Sequence, residues 1–223
     1  MRRARVACLV TLCCGVSASA RADWSIAAYL GASFTRPATL VLTERSSDGR
    51  TRDTVTWPDV SFASHSFASP PYYGYRVTWF PGRTRHIGLG AELTHLKVYA
   101  PSDLPEQPIL TRFSISHGLN LLTANVVWRE RATERVLLTA RAGAGVAIPH
   151  AESTVRGVDQ EQYQVSGVAL QGAVGPELIL SRHLRAFAEY KLTTSAPVVS
   201  VAGGTISGRY SSQHLTAGMG IEW

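Results

Sequence analysis

The sequence predicts an all-β fold, an eight-stranded antiparallel up-and-down barrel that crosses a membrane with its strands. The last stretch has a period of two, with Leu215, Ala217, Met219, Ile221 and Trp223 alternating with polar or small residues. Such a strand has one apolar and one polar side. Long and short connections also alternate between the predicted strands, as long extracellular loops and short periplasmic turns do in transmembrane barrels. A leader for export is the third observation.

The leader has a basic start, an apolar run from Val6 to Val16 and small residues around Ala20-Arg21-Ala22. This is the pattern of a cleaved secretory signal peptide. The apolar run is about half of the ~20 residues that a membrane-spanning helix needs. We therefore expect a signal peptide at residues 1–22 and a barrel domain at 23–223. All three cysteines lie in the leader, so we expect no disulfide in the mature chain.

The net charge of the whole chain is +6, from 22 basic and 16 acidic residues. Cleavage would remove four arginines and no acid, which leaves 22 − 4 = 18 basic residues against 16 acidic ones, or +2. The strong positive charge therefore belongs largely to the leader. It gives no reason to expect a nucleic-acid partner.

The strands follow one another along the mature chain. We predict them at residues 24–34, 72–80, 87–100, 113–128, 135–154, 163–180, 184–201 and 210–223. The long first connection contains two short alternating runs around Asp48-Gly49, which favours an extracellular hairpin at 37–60. Inclusion of this hairpin in a ten-stranded barrel is the alternative.

Aromatic residues lie at both ends of the predicted strands. Trp24, Trp79, Trp128 and Trp223 lie on the side of the short turns. At the opposite ends lie Tyr73, Tyr99, Tyr163 and Tyr210. Two aromatic girdles at the two membrane interfaces would produce this pattern.

The period of two places several charged residues on the strand faces that are predicted to point into the barrel. The predicted lumen network consists of Arg76, Glu92, Arg141, Glu177, Glu189 and Lys191. An eight-stranded barrel is only wide enough for its own side chains, and an unpaired buried charge costs several kcal/mol. We expect these residues to form ion pairs that close the lumen. A narrow gated conduit is the alternative.

Histidines lie on the outward faces of three consecutive strands, near their extracellular ends. His95, His117 and His150 should lie roughly 20, 30 and 38 Å above the periplasmic ends, given the rise and tilt of barrel strands. This is the level of the outer-leaflet head groups, because the apolar band is about 25 Å tall. With Glu152 they are candidate catalytic residues. Leu121-Leu122 suggests a bulge in the fourth strand, which would re-aim His117.

Two further residues of the third strand, Lys97 and Tyr99, are candidate lipid-binding residues at this level. Histidines with a carboxylate transfer protons or bind a divalent metal ion, so such an ion is the cofactor that this set suggests. The plainer interpretation is that all these residues contact lipid phosphates without chemistry.

Four segments carry a resemblance to known proteins. They are Gly90–Tyr99, Phe113–Asn120, Gly145–His150 and Phe187–Leu192. The whole mature chain resembles the small eight-stranded outer-membrane barrels, such as the OmpA transmembrane domain. The four segments are similar to the subgroup of lipid A oxidase, which oxidises the proximal glucosamine of lipid A. The resemblance assigns no catalytic residue.

This resemblance implies the outer membrane of a Gram-negative bacterium as the location. The implied partners are outer-membrane lipids, lipopolysaccharide and the barrel-assembly machinery, which would engage the last strand ending at Trp223. We expect a closed barrel that acts on or binds lipid A at its outer wall. The alternatives are a non-enzymatic barrel that is structural or displays its loops, and a narrow channel for small solutes.

Overall fold

The computed structural model of the chain describes residues 23–82, 86–105 and 109–223. The predicted signal peptide, residues 1–22, lies outside the described residues. The described strands are β1 (Asp23–Thr35), β2 (Ala38–Arg45), β3 (Thr51–Val60), β4 (Tyr73–Phe80), β5 (Ile87–Tyr99), β6 (Leu110–Arg131), β7 (Val136–Val155), β8 (Val158–Tyr163), β9 (Val168–Ile179), β10 (Leu184–Ser195), β11 (Val198–Val201), β12 (Gly204–Gly208) and β13 (Tyr210–Glu222). No helix among the described residues is long and apolar enough to span a membrane.

Eight of these strands form a closed antiparallel barrel. Their order is β6-β5-β4-β1-β13-β10-β9-β7, and β7 pairs with β6 to close the ring. The first and last strands are neighbours, with Ser25 opposite Glu222 and Thr35 opposite Ser212. Because the barrel is closed, each of its eight strands has a hydrogen-bonded neighbour on both sides. The backbone N–H and C=O groups can therefore pair with each other inside a membrane. The predicted fold with eight strands is confirmed.

The period of two separates the two surfaces of the barrel wall. On β13, Leu215, Met219 and Ile221 are exposed, whereas His214 and Thr216 are buried. The other barrel strands alternate in a similar way, with most large apolar side chains facing outward, although Tyr29 and Phe187 are buried among the polar residues of the interior. A continuous apolar outer surface of this kind is the lipid-facing belt of a transmembrane barrel.

The aromatic residues follow the predicted girdles only in part. Trp24, Trp128 and Trp223 are exposed at one end of the barrel, and Trp24 lies 6.3 Å from Trp79 between ring centroids. Tyr210 was expected in the opposite girdle, but it is buried with its ring 5.4 Å from that of Phe62. The prediction for Tyr210 is therefore wrong, because Phe62 packs over this end of β13.

A second, four-stranded sheet with the order β11-β12-β2-β3 lies at the extracellular end. In the segment predicted as a hairpin at 37–60, β2 pairs with β3. Leu40, Leu42 and Ile206 form its buried side, and the Trp57 indole donates to the Pro105 carbonyl at 2.7 Å. The predicted seventh strand is therefore too long, since β10 ends at Ser195 and β11 belongs to this sheet.

Charged side chains fill the middle of the lumen. Glu189 accepts a hydrogen bond from Arg76 at 2.6 Å, and its Oε1 forms an ion pair with Arg141, whose Nη2 lies 2.8 Å away. Glu92 is paired with Lys191 and accepts from the Tyr29 hydroxyl at 2.7 Å. Opposite charges from β4, β5, β7 and β10 thus meet across the barrel interior.

A second layer of ion pairs lies at the periplasmic end of the lumen. Arg129 contacts Glu222 at 2.7 Å and Glu177 at 3.8 Å. Arg185 lies 3.7 Å from each of the same two carboxylates. All six predicted lumen residues take part in one of the two layers.

Candidate functional site on the outer wall

A bulge in β6 brings His117 to the outer surface. The register between β6 and β7 shifts between Ser114 and Leu119, so the bulge lies before the Leu121-Leu122 pair where we expected it. Gly118 has a φ of 123°, and a Cβ there would lie 2.3 Å from the His95 ring. Glycine adopts this backbone without strain and leaves space for the ring. The bulge leaves His117 exposed.

The hairpin of β7 and β8 supplies the other half of the site. β7 pairs with β9 up to Val146 and with β8 from His150 onward. Arg156 and Gly157 form the connecting turn with φ values of 50° and 77°, as a two-residue hairpin turn requires. Residues 155–162 separate two of the predicted strands, and the prediction of a loop there is wrong, because they include most of β8.

Three side chains from these elements meet on the outer wall, and we call them the His117–His150–Glu161 cluster. The two imidazole rings lie 4.8 Å apart between centroids. His150 Nε2 lies 2.6 Å from Glu161 Oε1. The three donor atoms fall within 4.8 Å of one another. Of the predicted catalytic residues, His117 and His150 therefore come together.

Glu152 lies beside the cluster and orients it. Its Oε1 is 2.7 Å from His117 Nδ1, and it also accepts hydrogen bonds from Ser116 and Arg112. The Glu152 side chain is 12% exposed, whereas that of Glu161 is 60% exposed. One carboxylate is thus fixed by several donors, whereas the other contacts His150 and is largely exposed to solvent.

The other predicted site residues lie apart from the cluster. His95 is 2% exposed, stacks on Tyr73 at 4.6 Å between centroids and lies with Nδ1 2.9 Å from Asn120 Oδ1. Lys97 is equally buried and donates to the Ala68 carbonyl at 3.1 Å. The Tyr99 ring packs against His65 at 4.8 Å. His95 therefore does not join the cluster.

Segment 61–72 covers the upper part of β5, which explains this difference. Ala63 pairs with Tyr99, and the segment supplies the carbonyl that holds Lys97. The period-two alternation correctly predicted that these side chains lie on the outer face of β5. It could not predict that segment 61–72 packs on this face. Lipid binding by Lys97 would require an exposed side chain, but the Lys97 side chain is buried.

Four residues around the cluster were not predicted as site residues. They are Arg112, Ser116, Glu161 and Tyr163. Tyr163 packs edge-on against His150 at 5.2 Å, and its hydroxyl accepts from Asn120 at 3.4 Å. The turn-forming Arg156-Gly157 between alternating residues was the signal that could have revealed Glu161, because cross-strand pairing places it opposite Glu152.

The cluster lies directly above the lipid-facing belt. On β6 the exposed apolar residues Trp128, Val126 and Leu122 lead up to it, and on β7 Leu138 and Val146 do so. Two imidazoles and two carboxylates at this position can exchange protons or bind a metal ion.

No family model and no curated protein matches the chain. It is similar to the outer membrane protein OprG from Pseudomonas aeruginosa, with 11% identity over 90% of this chain and 95% of that chain and a TM-score of 0.48. It is also similar to Neisserial surface protein A (14% identity, 90% and 96% coverage, TM-score 0.42). A third similar structure is Ail of Yersinia pestis (13% identity, 91% and 99% coverage, TM-score 0.40). At these identities the likeness concerns the fold alone.

The closed barrel and its apolar outer belt indicate the cellular location of the protein. Antiparallel barrels of this size with a lipid-facing belt and aromatic ends are outer-membrane proteins. The prediction of an outer-membrane location is confirmed.

Proposed function

We propose that this outer-membrane β-barrel binds lipid A at its outer wall and acts on the phosphorylated sugar head group. The observation that carries the proposal is the position of the His117–His150–Glu161 cluster, which lies immediately above the lipid-facing belt. The outer leaflet of this membrane presents the glucosamine head group of lipid A at that level. The resemblance of four segments to lipid A oxidase favours the same substrate.

The arrangement around His117 is suited to proton transfer. Glu152 and Ser116 both contact His117 Nδ1, at 2.7 and 3.2 Å, which leaves Nε2 available to a ligand on the outer wall. A carboxylate that holds one imidazole nitrogen fixes the ring orientation and directs the other nitrogen toward its ligand. Arg112, whose side chain is 59% exposed, lies next to Glu152 and is available to a lipid phosphate.

A non-enzymatic barrel that displays its extracellular surface is the second candidate. The observation that favours it is the four-stranded sheet of β11, β12, β2 and β3, which contributes no residue to the cluster. Phe67 and Val165 are also strongly exposed near the extracellular end. A channel for small solutes has less support, since ion pairs cross the middle of the lumen.

The test is the mass of lipid A from cells that lack the protein, express it, or express His117→Ala. We expect a mass change with the wild-type protein that disappears with His117→Ala. His86→Ala is the matched control, because His86 also lies beside a carboxylate, Glu130 at 3.0 Å, but at the opposite end of the barrel. Lipid A of equal mass in all strains, with the folded barrel present in the membrane, would contradict the proposal and favour the display function.

A further inference from the structure

We infer that the His117–His150–Glu161 cluster is a binding site for one divalent transition-metal ion, such as Zn²⁺ or Fe²⁺. The ion would serve the proposed reaction on lipid A, and to that extent the inference rests on the proposed function. Binding itself requires no lipid. Among the described residues, this is the one group of three or more potential ligands whose donor atoms lie within reach of a common ion.

The ligand set points to this class of metal. Two imidazoles and one carboxylate form the protein side of many zinc and non-haem iron sites, and they leave coordination positions open for substrate. Calcium and magnesium favour sites made of oxygen ligands alone. The two histidines therefore favour a first-row transition metal over the hard cations that commonly bridge lipid phosphates.

The contacts of His117 assign its nitrogens. Nδ1 faces Glu152 Oε1 at 2.7 Å, so a proton on Nδ1 is shared with that carboxylate and the lone pair of Nε2 is free. Metal-binding histidines in proteins almost always have such a carboxylate or carbonyl on the second nitrogen. Glu152, which is held by Ser116 and Arg112, is thus a positioning residue rather than a ligand.

The remaining two ligands need only a small movement. His150 Nε2 and Glu161 Oε1 lie 2.6 Å apart, whereas two ligands of a tetrahedral zinc ion at about 2.0–2.1 Å lie roughly 3.3 Å from each other. Glu161 is on β8, and its side chain is 60% exposed, so its carboxylate can turn to admit the ion. His150 is held between Tyr163 and His117, which keeps it in place.

The experiment is a zinc titration of the mature barrel in detergent micelles, prepared without a polyhistidine tag and followed by competition with a chromophoric chelator. We expect one Zn²⁺ per barrel. His117→Ala, His150→Ala and Glu161→Gln should each weaken the affinity by tenfold or more. Glu152→Gln should weaken it by about 10–100-fold, as loss of such a positioning group usually does. His86→Ala should leave it unchanged, because the His86–Glu130 pair is not grouped with a third ligand among the described residues.

Folding of each variant is checked by the shift in electrophoretic mobility between heated and unheated samples. A folded wild-type barrel that binds no zinc would overturn the inference, and so would equal affinity in wild type, His117→Ala and His150→Ala. Zinc binding with unchanged lipid A would support the metal site and contradict the proposed function. A lipid A mass change without zinc binding would do the reverse.

Discussion

Gly118 is the residue on which the geometry of the cluster depends most. Its φ of 123° lies in a region that other residues rarely adopt, and a Cβ would lie 2.3 Å from His95 Cε1. This backbone lets β6 bulge, and the bulge places His117 beside His150 on the outer wall. A residue without a side chain thus determines where a functional side chain points.

Gly118→Ala should lower the free energy of unfolding by about 1–3 kcal/mol, because it combines backbone strain with displacement of a buried ring. The measurement is the urea unfolding midpoint in detergent micelles. Gly172→Ala is the matched control, since the nearest heavy atom to its Cβ is the Arg141 carbonyl oxygen at 3.9 Å. Equal midpoints for the two variants would contradict this account of the bulge.

At the scale of elements, the β7–β8 hairpin is tied to the second sheet by one ion pair. Arg156, in the hairpin turn, donates to both Glu44 oxygens at 2.7 and 2.9 Å. Glu44 lies on β2 outside the membrane, and these hydrogen bonds from Arg156 lower the pKa of its carboxyl group. The pair links the hairpin that carries Glu161 to the sheet above the barrel.

This link predicts a pH dependence. Because the pKa of Glu44 is lowered in the folded protein, its contact with Arg156 stabilises the fold at pH values above the ordinary glutamate pKa of about 4.3. This stabilisation is lost as the pH falls through the lowered pKa. Glu44→Gln should therefore speed hydrogen exchange of β2 and β8 at pH 7, whereas wild type and variant should converge well below pH 4. The difference between the two proteins at each pH is the quantity to compare. A difference that persists undiminished in acid would rule out this cause.

The sequence predicted the barrel strands better than the strands outside the membrane. Strands such as β13 face lipid on one side and polar side chains on the other, so their period of two is strong. The strands β8, β11 and β12 pair above the belt, where no lipid imposes alternation. Their sequences therefore predict loops or continuations of barrel strands. The alternation also does not predict the burial of His95, because this burial depends on segment 61–72, which packs across β5.

At the scale of the whole molecule, the lumen is held by charges that would be unfavourable alone. Lys191 is fully buried, and it is paired with Glu92 and donates to the Tyr29 hydroxyl at 2.7 Å. Each barrel strand that contributes a charge is thereby joined to strands across the lumen, in addition to its hydrogen-bonded neighbours.

Lys191→Met should cost about 3–5 kcal/mol of stability, because it leaves Glu92 buried without its ammonium partner. The losses of Lys191→Met and Glu92→Gln should be less than additive in the double variant, because each single variant already breaks the ion pair that the two residues share. Urea unfolding of the two single variants and the double variant in the same micelles measures the effect. A single variant as stable as the wild type would show that the lumen charges are not coupled.

The proposed function depends on the cluster facing the head groups of the outer leaflet, and one measurement tests this most directly. A photo-crosslinking amino acid replaces Tyr163, which is 61% exposed beside the cluster, or Trp24, which is 44% exposed at the opposite end. After irradiation of living cells, we expect lipopolysaccharide attached to the protein from position 163 and none from position 24. Lipopolysaccharide attached from position 24 and absent from position 163 would place the cluster at the periplasmic side and contradict the account.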